Sequence, residues 1–232
     1  MQGSELEGGT SREAARAGRA QRGSRRPNRC AMVLPPAGEL TGKRVLDLEC
    51  RGGLGAFKIA DLVGERGFVI GLDSDEAQIA RAVARAPEQH WAGSAWRDRL
   101  HFAVARPDDL RGAGIEDASV DVVIINSVLN VQPDPTAALR EIVRVLASGG
   151  YLYLDAVLAA DPLPADIVAR FHGSPNVFGV APTEDWLVDA LHTAGFTRVR
   201  CEQRCPLRPE RDDADPALTP CAFTSAVVQA WV

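Results

Sequence analysis

The sequence predicts an α/β fold: one doubly wound sheet of seven strands, mostly parallel, with an antiparallel C-terminal hairpin. Three observations predict it. Short apolar runs typical of buried strands alternate with stretches of helical periodicity between residues 45 and 195. The run at residues 120–128 is apolar on both faces, as a central parallel strand requires. The last two strand-like segments, residues 196–203 and 222–232, have no helix between them and therefore pair antiparallel.

Length and composition limit the function classes. A chain of 232 residues with 46% hydrophobic content can form one sizeable domain. Its net charge of -5 gives no general attraction to nucleic acid, so no nucleic-acid partner is expected. Five cysteines without framework spacing, no recognisable signal peptide and no apolar run of membrane-spanning length predict a cytoplasmic protein without a membrane partner.

The chain divides into two parts. Residues 1–29 are rich in Gly, Ser and Ala and contain seven arginines, with almost no large apolar side chain. Such a segment cannot bury enough surface to fold, so it is predicted to be a disordered basic tail. Contact of this tail with RNA, an anionic surface or an import receptor remains an alternative. Residues 30–232 are predicted to form a single domain.

The first half of the domain contains a βαβ unit at residues 45–75. A buried strand begins at Val45, a glycine-bearing turn follows it, and the next helix stops at Gly64. The second strand runs from Phe68 directly into Asp73. In Rossmann-like sheets such a unit holds an adenosine-containing ligand, with the acid of the second strand on the ribose hydroxyls.

The remaining elements follow in order. Ser74 is predicted to cap a helix that ends near Pro87, and residues 88–99, which contain two tryptophans, form an amphipathic insertion before a third strand at 100–105. A helix opened by residues 133–135 is closed by Gly149 and Gly150 and leads into a strand at 151–158. The expected elements beyond it are a helix at 161–171, a loop at 173–182, and a helix capped by Thr183 and ended by Gly195.

Several phrases of the sequence resemble the class I S-adenosylmethionine-dependent methyltransferases. They are D-L-E-C-R-G-G-L-G after strand one, G-L-D after strand two, and D-V-V-I-I-N-S at strand four. More narrowly, residues 30–232 are similar to the arsenite methyltransferase family. The phrases that carry this similarity are Cys30-Ala-Met-Val-Leu-Pro, Leu62-Val-Gly-Glu-Arg-Gly-Phe-Val-Ile-Gly-Leu-Asp, Asn126-Ser-Val-Leu-Asn-Val-Gln-Pro-Asp and Phe223-Thr-Ser-Ala.

The resemblance implies S-adenosylmethionine as cofactor and assigns residues to it. Each assignment has a structural alternative: Asp47 can brace a loop, and Asp108 or Asp109 can cap a short helix. The assigned positions are Asp47, Gly52 and Gly53 for the methionine half, Asp73 with the adjoining Ser74 for the ribose, Asp108 or, one residue later, Asp109 for the adenine amine, and Asn126 and Ser127 beside the methyl group.

Two residues depart from the family's glycine turn. Glu49 and Arg51 replace the first two glycines, which permit positive φ and a close approach of the backbone to the ligand. A Glu49 carboxylate beside the cofactor's carboxylate is repelled by about 1 kcal/mol or more. Arg51 can compensate by pairing with either carboxylate. Without that compensation, weak or absent cofactor binding is expected.

The cysteines argue against arsenite as the substrate. The family holds the thiophilic metalloid with three cysteines, of which only Cys30 has a match. Ser127 stands at the strand-four position, and residues 173–179 contain no cysteine. Cys201 and Cys205 are expected on one face of a strand without a second ligand pair, so no metal site is predicted.

The sequence therefore predicts a methyltransferase that acts on a small molecule other than arsenite. Methyl transfer from a sulfonium mainly requires alignment and exclusion of water, and no residue is an evident general base. The catalytic candidates are Ser127, His172 and Cys30. One alternative is an inactive or repurposed relative that serves as a binding or partner subunit, and another is an unrelated nicotinamide enzyme. A homodimer is also compatible with the sequence.

Overall fold

The computed structural model describes residues 33–86, 99–209 and 215–232. The chain forms one seven-stranded sheet with the order β3-β2-β1-β4-β5-β7-β6. The first five strands run parallel, and β7 lies antiparallel between β5 and β6. The predicted fold class is confirmed. The strands are β1 (Arg44–Leu48), β2 (Phe68–Asp73), β3 (Leu100–Val104), β4 (Val120–Asn126), β5 (Leu146–Ala159), β6 (Arg198–Leu207) and β7 (Phe223–Trp231).

Six α-helices of the described part of the chain cover the two faces of this sheet, and short 3₁₀ turns follow β4 and precede β7. One face is covered by α2, whose Phe57 and Ile59 are buried, and the other by α4 and α6, through residues such as Leu139 and Leu191. Alternate side chains of β5 belong to the two cores, as in a sheet covered on both faces. The helices are α1 (Ala37–Leu40), α2 (Leu54–Val63), α3 (Glu76–Arg85), α4 (Pro135–Val145), α5 (Ala165–Phe171) and α6 (Glu184–Ala194).

The helix caps agree with the sequence in part. The Thr183 hydroxyl accepts a hydrogen bond from the Trp186 backbone N–H at 3.2 Å, and Gly195 ends α6 with a φ of 119°. The predicted cap of α3 is wrong by one residue. Asp75, and not Ser74, accepts a hydrogen bond from the Ala77 N–H. Asp75 has an extended backbone, and this places its carboxylate within reach of the N–H two residues later.

Three predicted boundaries also differ. The helix α4 ends at Val145 and β5 starts at once, so Gly149 and Gly150 lie inside the strand, where the pairing with β4 shifts register. A Cβ at Gly150 would lie 2.9 Å from the Asp121 carbonyl oxygen, which explains a glycine there. The strand β4 ends at Asn126, because Ser127 has a left-handed φ of 58°. The helix α5 begins only after Pro164.

The predicted disordered tail and most of the predicted amphipathic insertion belong to parts of the chain outside this description. Residues 1–32, with Cys30, and the larger part of the insertion, with both tryptophans, lie outside the described residues. Within the described ranges, none of the helices combines the length and the apolar character that crossing a bilayer requires.

Candidate functional site

The candidate site lies at the carboxyl ends of the parallel strands. Asp47 of β1 is paired with Gly71 of β2 and with Ile124 of β4. Because side chains two residues apart on a strand share a face, Asp73 and Asn126 project from the same face one step closer to the carboxyl edge. Asn126 is in turn paired with Asp155 of β5. Polar side chains from four adjacent strands therefore converge on one face of this edge.

The turn after β1 keeps a glycine-like backbone although two of its residues are not glycine. The φ angles of Glu49, Arg51 and Gly53 are 55°, 53° and 77°. A Cβ at Gly53 would approach the Ala82 Cβ to 2.8 Å and the Phe102 ring to 2.9 Å, so glycine is required there. The Arg85 guanidinium donates to the Gly52 carbonyl at 2.8 Å and occupies the place of a Cβ on that residue.

Asp73 holds this turn against the second strand. Its Oδ2 accepts the Arg51 backbone N–H at 2.7 Å, and its Oδ1 accepts the Asp75 N–H at 2.9 Å. The side chain is only 3% exposed. Asp73 is the residue predicted to bind the ribose, and each of its carboxylate oxygens therefore already accepts a hydrogen bond from one main-chain N–H. Arg51 contributes its backbone N–H to the site, and its side chain is exposed.

Two acid oxygens at the site are buried and unpartnered. The Oδ2 of Asp47 and the Oε1 of Glu49 have no hydrogen-bond partner among the described residues. Burial raises the pKa of Asp47 to about 7, and the negative charge of Asp73 adds to the effect. Burial and the same charge also raise the pKa of Glu49, while its contact with Ser74 opposes the shift. One oxygen of each carboxyl therefore lacks a hydrogen-bond donor among the described residues.

The cysteine in this turn is part of the core. Cys50 is 8% exposed, and burial, followed by the charges of Asp47 and Asp73, raises the pKa of its thiol. Its backbone N–H donates to the Leu72 carbonyl at 2.9 Å and so ties the turn to β2. A neutral, buried thiol is a poor nucleophile and a poor metal ligand.

The two candidates for the adenine contact have local partners. Asp108 forms an ion pair with Arg106, with contacts of 2.6 and 2.9 Å, and this pair lowers the pKa of Asp108. Asp109 accepts the Gly112 N–H at 2.9 Å, as a turn-capping acid does. Asp108, half-buried, lies just beyond β3, next to β2 in the sheet, and Asp109 is exposed. The adenine contact stays a prediction.

Ser127, which follows β4 directly, forms a pair with Asp155, which lies inside β5 opposite the end of β4. The Ser127 hydroxyl donates to Asp155 Oδ2, and the Ser127 N–H donates to the Asp155 carbonyl at 2.8 Å. Asp155 is 3% exposed and is absent from the residues predicted from the sequence. The signal that could have found it was its place in the strand after β4, but only the register reveals that it faces Asn126.

The segment before β1 passes over the same edge. The Val33 N–H donates to Asn126 Oδ1 at 3.1 Å, and the Tyr153 hydroxyl donates to the Leu34 carbonyl at 3.2 Å. Asn126 is thus engaged by the chain immediately after the Cys30 phrase. Cys30 lies outside the described residues, and its role as a catalytic candidate stays a prediction.

A groove of about 480 Å³ opens beside these strand ends. Its walls come from the segments that follow β4 and β5 and from the start of α6, and they are mostly apolar. Trp186, which is 48% exposed, and Val168, which is 39% exposed, present their side chains to it. We call it the proline-lined groove; its lining includes Asn130, Pro133, Pro135, Val168, His172 and Trp186. His172 is exposed and lies at the end of α5.

No metal centre is found in the described ranges. No group of three or more His, Cys, Asp or Glu side chains there has an arrangement that could hold an ion. The expectation that Cys201 and Cys205 share a strand face is wrong. A bulge between Glu202 and Cys205 shifts the register, so that Cys201 pairs with Val228 and Cys205 with Ser225, an odd number of residues apart and hence on opposite faces.

Comparison with known proteins gives consistent matches. A family model described as a methyltransferase domain matches residues 40–191. The arsenite methyltransferase of Mus musculus is 31% identical over 198 residues, which cover 85% of this chain and 52% of that protein. The demethylmenaquinone methyltransferase of Lactococcus lactis is 36% identical over 124 residues, 52% of this chain and 44% of that protein. The chain spans about half the length of these curated relatives.

A solved structure shows the same architecture. The arsenic(III) S-adenosylmethionine methyltransferase of Chlamydomonas reinhardtii superimposes with a TM-score of 0.77 at 28% identity, over 88% of this chain and 67% of that chain. These matches confirm the resemblance to class I S-adenosylmethionine-dependent methyltransferases, and to the arsenite methyltransferases among them, that the sequence phrases indicated.

Proposed function

Because the chain belongs to the methyltransferase domain family, we propose that it transfers a methyl group from S-adenosylmethionine to a small molecule other than arsenite. The observation that carries the proposal is the set of convergent acids at the carboxyl ends of β1 and β2, two of which have an unpartnered buried oxygen. In sheets of this type, ligands bind at that edge.

The free acceptors fit this cofactor. S-adenosylmethionine presents an ammonium group, two ribose hydroxyls and a sulfonium, and supplies a methyl group activated for displacement. The unpartnered oxygens of Asp47 and Glu49 need donors or positive charge, and the cofactor has both. The residues that would hold it are Asp47, Gly52 and Gly53 at the methionine half, Glu49, Asp73 and Ser74 at the ribose, and Asn126 and Ser127 at the methyl group.

The chain's own contribution is alignment and exclusion of water. The left-handed turn of Glu49 and Arg51 and the backbone bond from Arg51 to Asp73 fix the floor of the site. The segment from Val33 covers the strand ends through its bond to Asn126. An in-line displacement in such a preorganised site needs no metal and no covalent intermediate.

The acceptor is proposed to bind in the proline-lined groove. One segment that forms it follows Asn126 and Ser127 at the end of β4, and another follows β5. Its volume falls in the range of small-molecule sites, and its walls suit a largely apolar ring. A quinone precursor, the acceptor named for the demethylmenaquinone relative, has this character. His172 is in the groove and can accept a proton from the acceptor.

Arsenite is disfavoured by the chemistry of the strand-four position. Ser127 has a hydroxyl there, and this hydroxyl is bonded to a carboxylate. Hydroxyl and carboxylate oxygens are hard ligands, whereas trivalent arsenic prefers thiolates. Of the described cysteines, Cys50 is buried in the core and Cys201, Cys205 and Cys221 belong to the C-terminal third of the chain.

Calorimetric titration with S-adenosylmethionine and S-adenosylhomocysteine tests the cofactor. Binding of both ligands by the purified chain is expected. No heat at millimolar ligand would refute the enzyme and favour an inactive relative that uses the fold for binding. A labelled-methyl transfer assay with 1,4-naphthohydroquinone and with arsenite then tests the acceptor, and transfer to arsenite would contradict the substrate proposal.

We further place the protein in the cytoplasm, and sedimentation of the purified chain would test for a homodimer.

A further inference from the structure

Glu49 reaches from the turn after β1 to the tip of β2. Its Oε2 lies 3.5 Å from the Ser74 hydroxyl, which follows Asp73 directly. Its carboxyl is close enough to Asp73 for the negative charge of Asp73 to disfavour its ionised form. A residue that replaces a glycine of the turn therefore places a second carboxyl where the βαβ unit directs the ribose of its ligand.

Asp73, by contrast, has reduced capacity for ribose. One of its oxygens is bonded to the Arg51 N–H and the other to the Asp75 N–H, at 2.7 and 2.9 Å. A carboxylate oxygen can accept a second bond, but this side chain is 3% exposed. Glu49 is less deeply buried than Asp73 as a residue, and its Oε1 has no partner in the described ranges. The free acceptor at the tip of β2 thus belongs to Glu49.

We propose that Glu49 accepts a hydrogen bond from a ribose hydroxyl of the cofactor and shares with Asp73 the ribose recognition that a single acid otherwise provides. The inference rests on the proposed cofactor. A hydroxyl donor at Oε1 satisfies an oxygen that the fold leaves without one. Glycine at this position, as in the family's usual turn, offers no such acceptor. Glu49 is therefore a specificity-determining residue for the ribose and not a defect of the turn.

Nucleosides test this contact without a methyl acceptor. We would titrate adenosine, 2′-deoxyadenosine and 3′-deoxyadenosine into the wild type, Glu49→Gln and Glu49→Gly, with binding measured by calorimetry. The expected result is that Glu49→Gly weakens adenosine binding about tenfold or more, the loss typical of a hydrogen bond to a charged group. The shape-conserving Glu49→Gln should lose less. One of the two deoxynucleosides lacks the hydroxyl that Glu49 contacts. The wild type and Glu49→Gly should bind that deoxynucleoside equally, because the hydrogen bond is already missing.

Several results would overturn the proposal. One is adenosine binding to Glu49→Gly that is as tight as in the wild type or tighter, which would mean that the Glu49 side chain fills the ribose space. Another is a Glu49→Gly variant that loses the same factor of affinity for adenosine and for both deoxynucleosides. Ala118→Gly is the matched control for the backbone, because Ala118 also has a left-handed φ, of 52°, and is exposed in the turn before β4.

The same titrations with S-adenosylmethionine separate the two proposals. If the wild type and Glu49→Gly bind it equally well, the ribose inference fails and the cofactor assignment stands. If neither protein binds it, both fail. Thermal unfolding of each variant verifies that it is folded before its affinity is compared.

Discussion

Asp47 gives the sharpest prediction of pH dependence. Its side chain is 4% exposed, one of its oxygens is unpartnered, and burial followed by the charge of Asp73 raises its pKa to about 7. In the unfolded chain the same carboxyl titrates near its ordinary pKa of 3.8. Between these two values the folded protein binds more protons than the unfolded chain. The free energy of unfolding should therefore fall as pH rises through this window, and level off above pH 7.

The magnitude follows from the two pKa values. A shift from 3.8 to about 7 corresponds to roughly 4 kcal/mol at about 1.4 kcal/mol per unit, as an upper bound for this group. Asp47→Asn removes the titration and keeps the shape. We expect the stability difference between this variant and the wild type to change by a few kcal/mol in favour of Asn between pH 5 and pH 8.

Urea unfolding of both proteins at pH 5, 6, 7 and 8 measures this difference, and Asp161→Asn, at an exposed acid beyond β5, serves as the control. The ammonium group of the cofactor favours ionised Asp47, so wild-type affinity should rise with pH up to about 7 while that of Asp47→Asn stays flat. Parallel stability curves for the wild type and Asp47→Asn would refute the assignment of a raised pKa to this carboxyl.

Three further changes have defined outcomes. Asp73→Ala leaves two backbone N–H groups without their acceptor, so urea unfolding should show a free energy of unfolding lower by about 1–3 kcal/mol. Calorimetry should show no S-adenosylmethionine binding, and retained binding would contradict the site. Thr183→Ala removes the cap of α6 and should cost about 1 kcal/mol, seen as a melting temperature lower by about 2–4 °C, whereas an unchanged value would show that the cap is redundant. Ser127→Cys restores a thiol at the position of the arsenite family and should increase arsenite binding over the wild type in an equilibrium dialysis assay; equal binding would show that this position does not decide the substrate.

The βαβ unit could be predicted because its signals are local. An apolar run, a glycine turn and an acid after the next run specify a strand, a tight connection and a strand tip, and the structure places Asp73 at the end of β2 as expected. The alternation of strand-like and helical segments also made it possible to predict the number of strands and the final antiparallel pair. These features depend on neighbours within a few residues of each other.

The contacts between distant segments could not be predicted in this way. Asp155 faces Asn126 only because β4 and β5 are in a particular register, and that register includes a shift near Val120. The bulge that separates Cys201 from Cys205 likewise depends on pairing with β7. Strand periodicity gives a face only within one uninterrupted strand, so a one-residue shift reverses every assignment beyond it.

The left-handed turn shows what determines the shape of this site. A non-glycine residue in that region costs about 1–2 kcal/mol, and the chain has two such residues, Glu49 and Arg51, between β1 and α2. The turn nevertheless keeps its form, because two of its backbone N–H groups tie it to β2: that of Cys50 donates to the Leu72 carbonyl and that of Arg51 to the Asp73 carboxylate. Glycine therefore makes this conformation inexpensive but is not its cause. Since strain of this kind persists where surrounding structure imposes it, often at ligand sites, the two substitutions are compatible with a working cofactor turn. The side chain of Glu49, and not its backbone, is then the feature on which cofactor affinity depends.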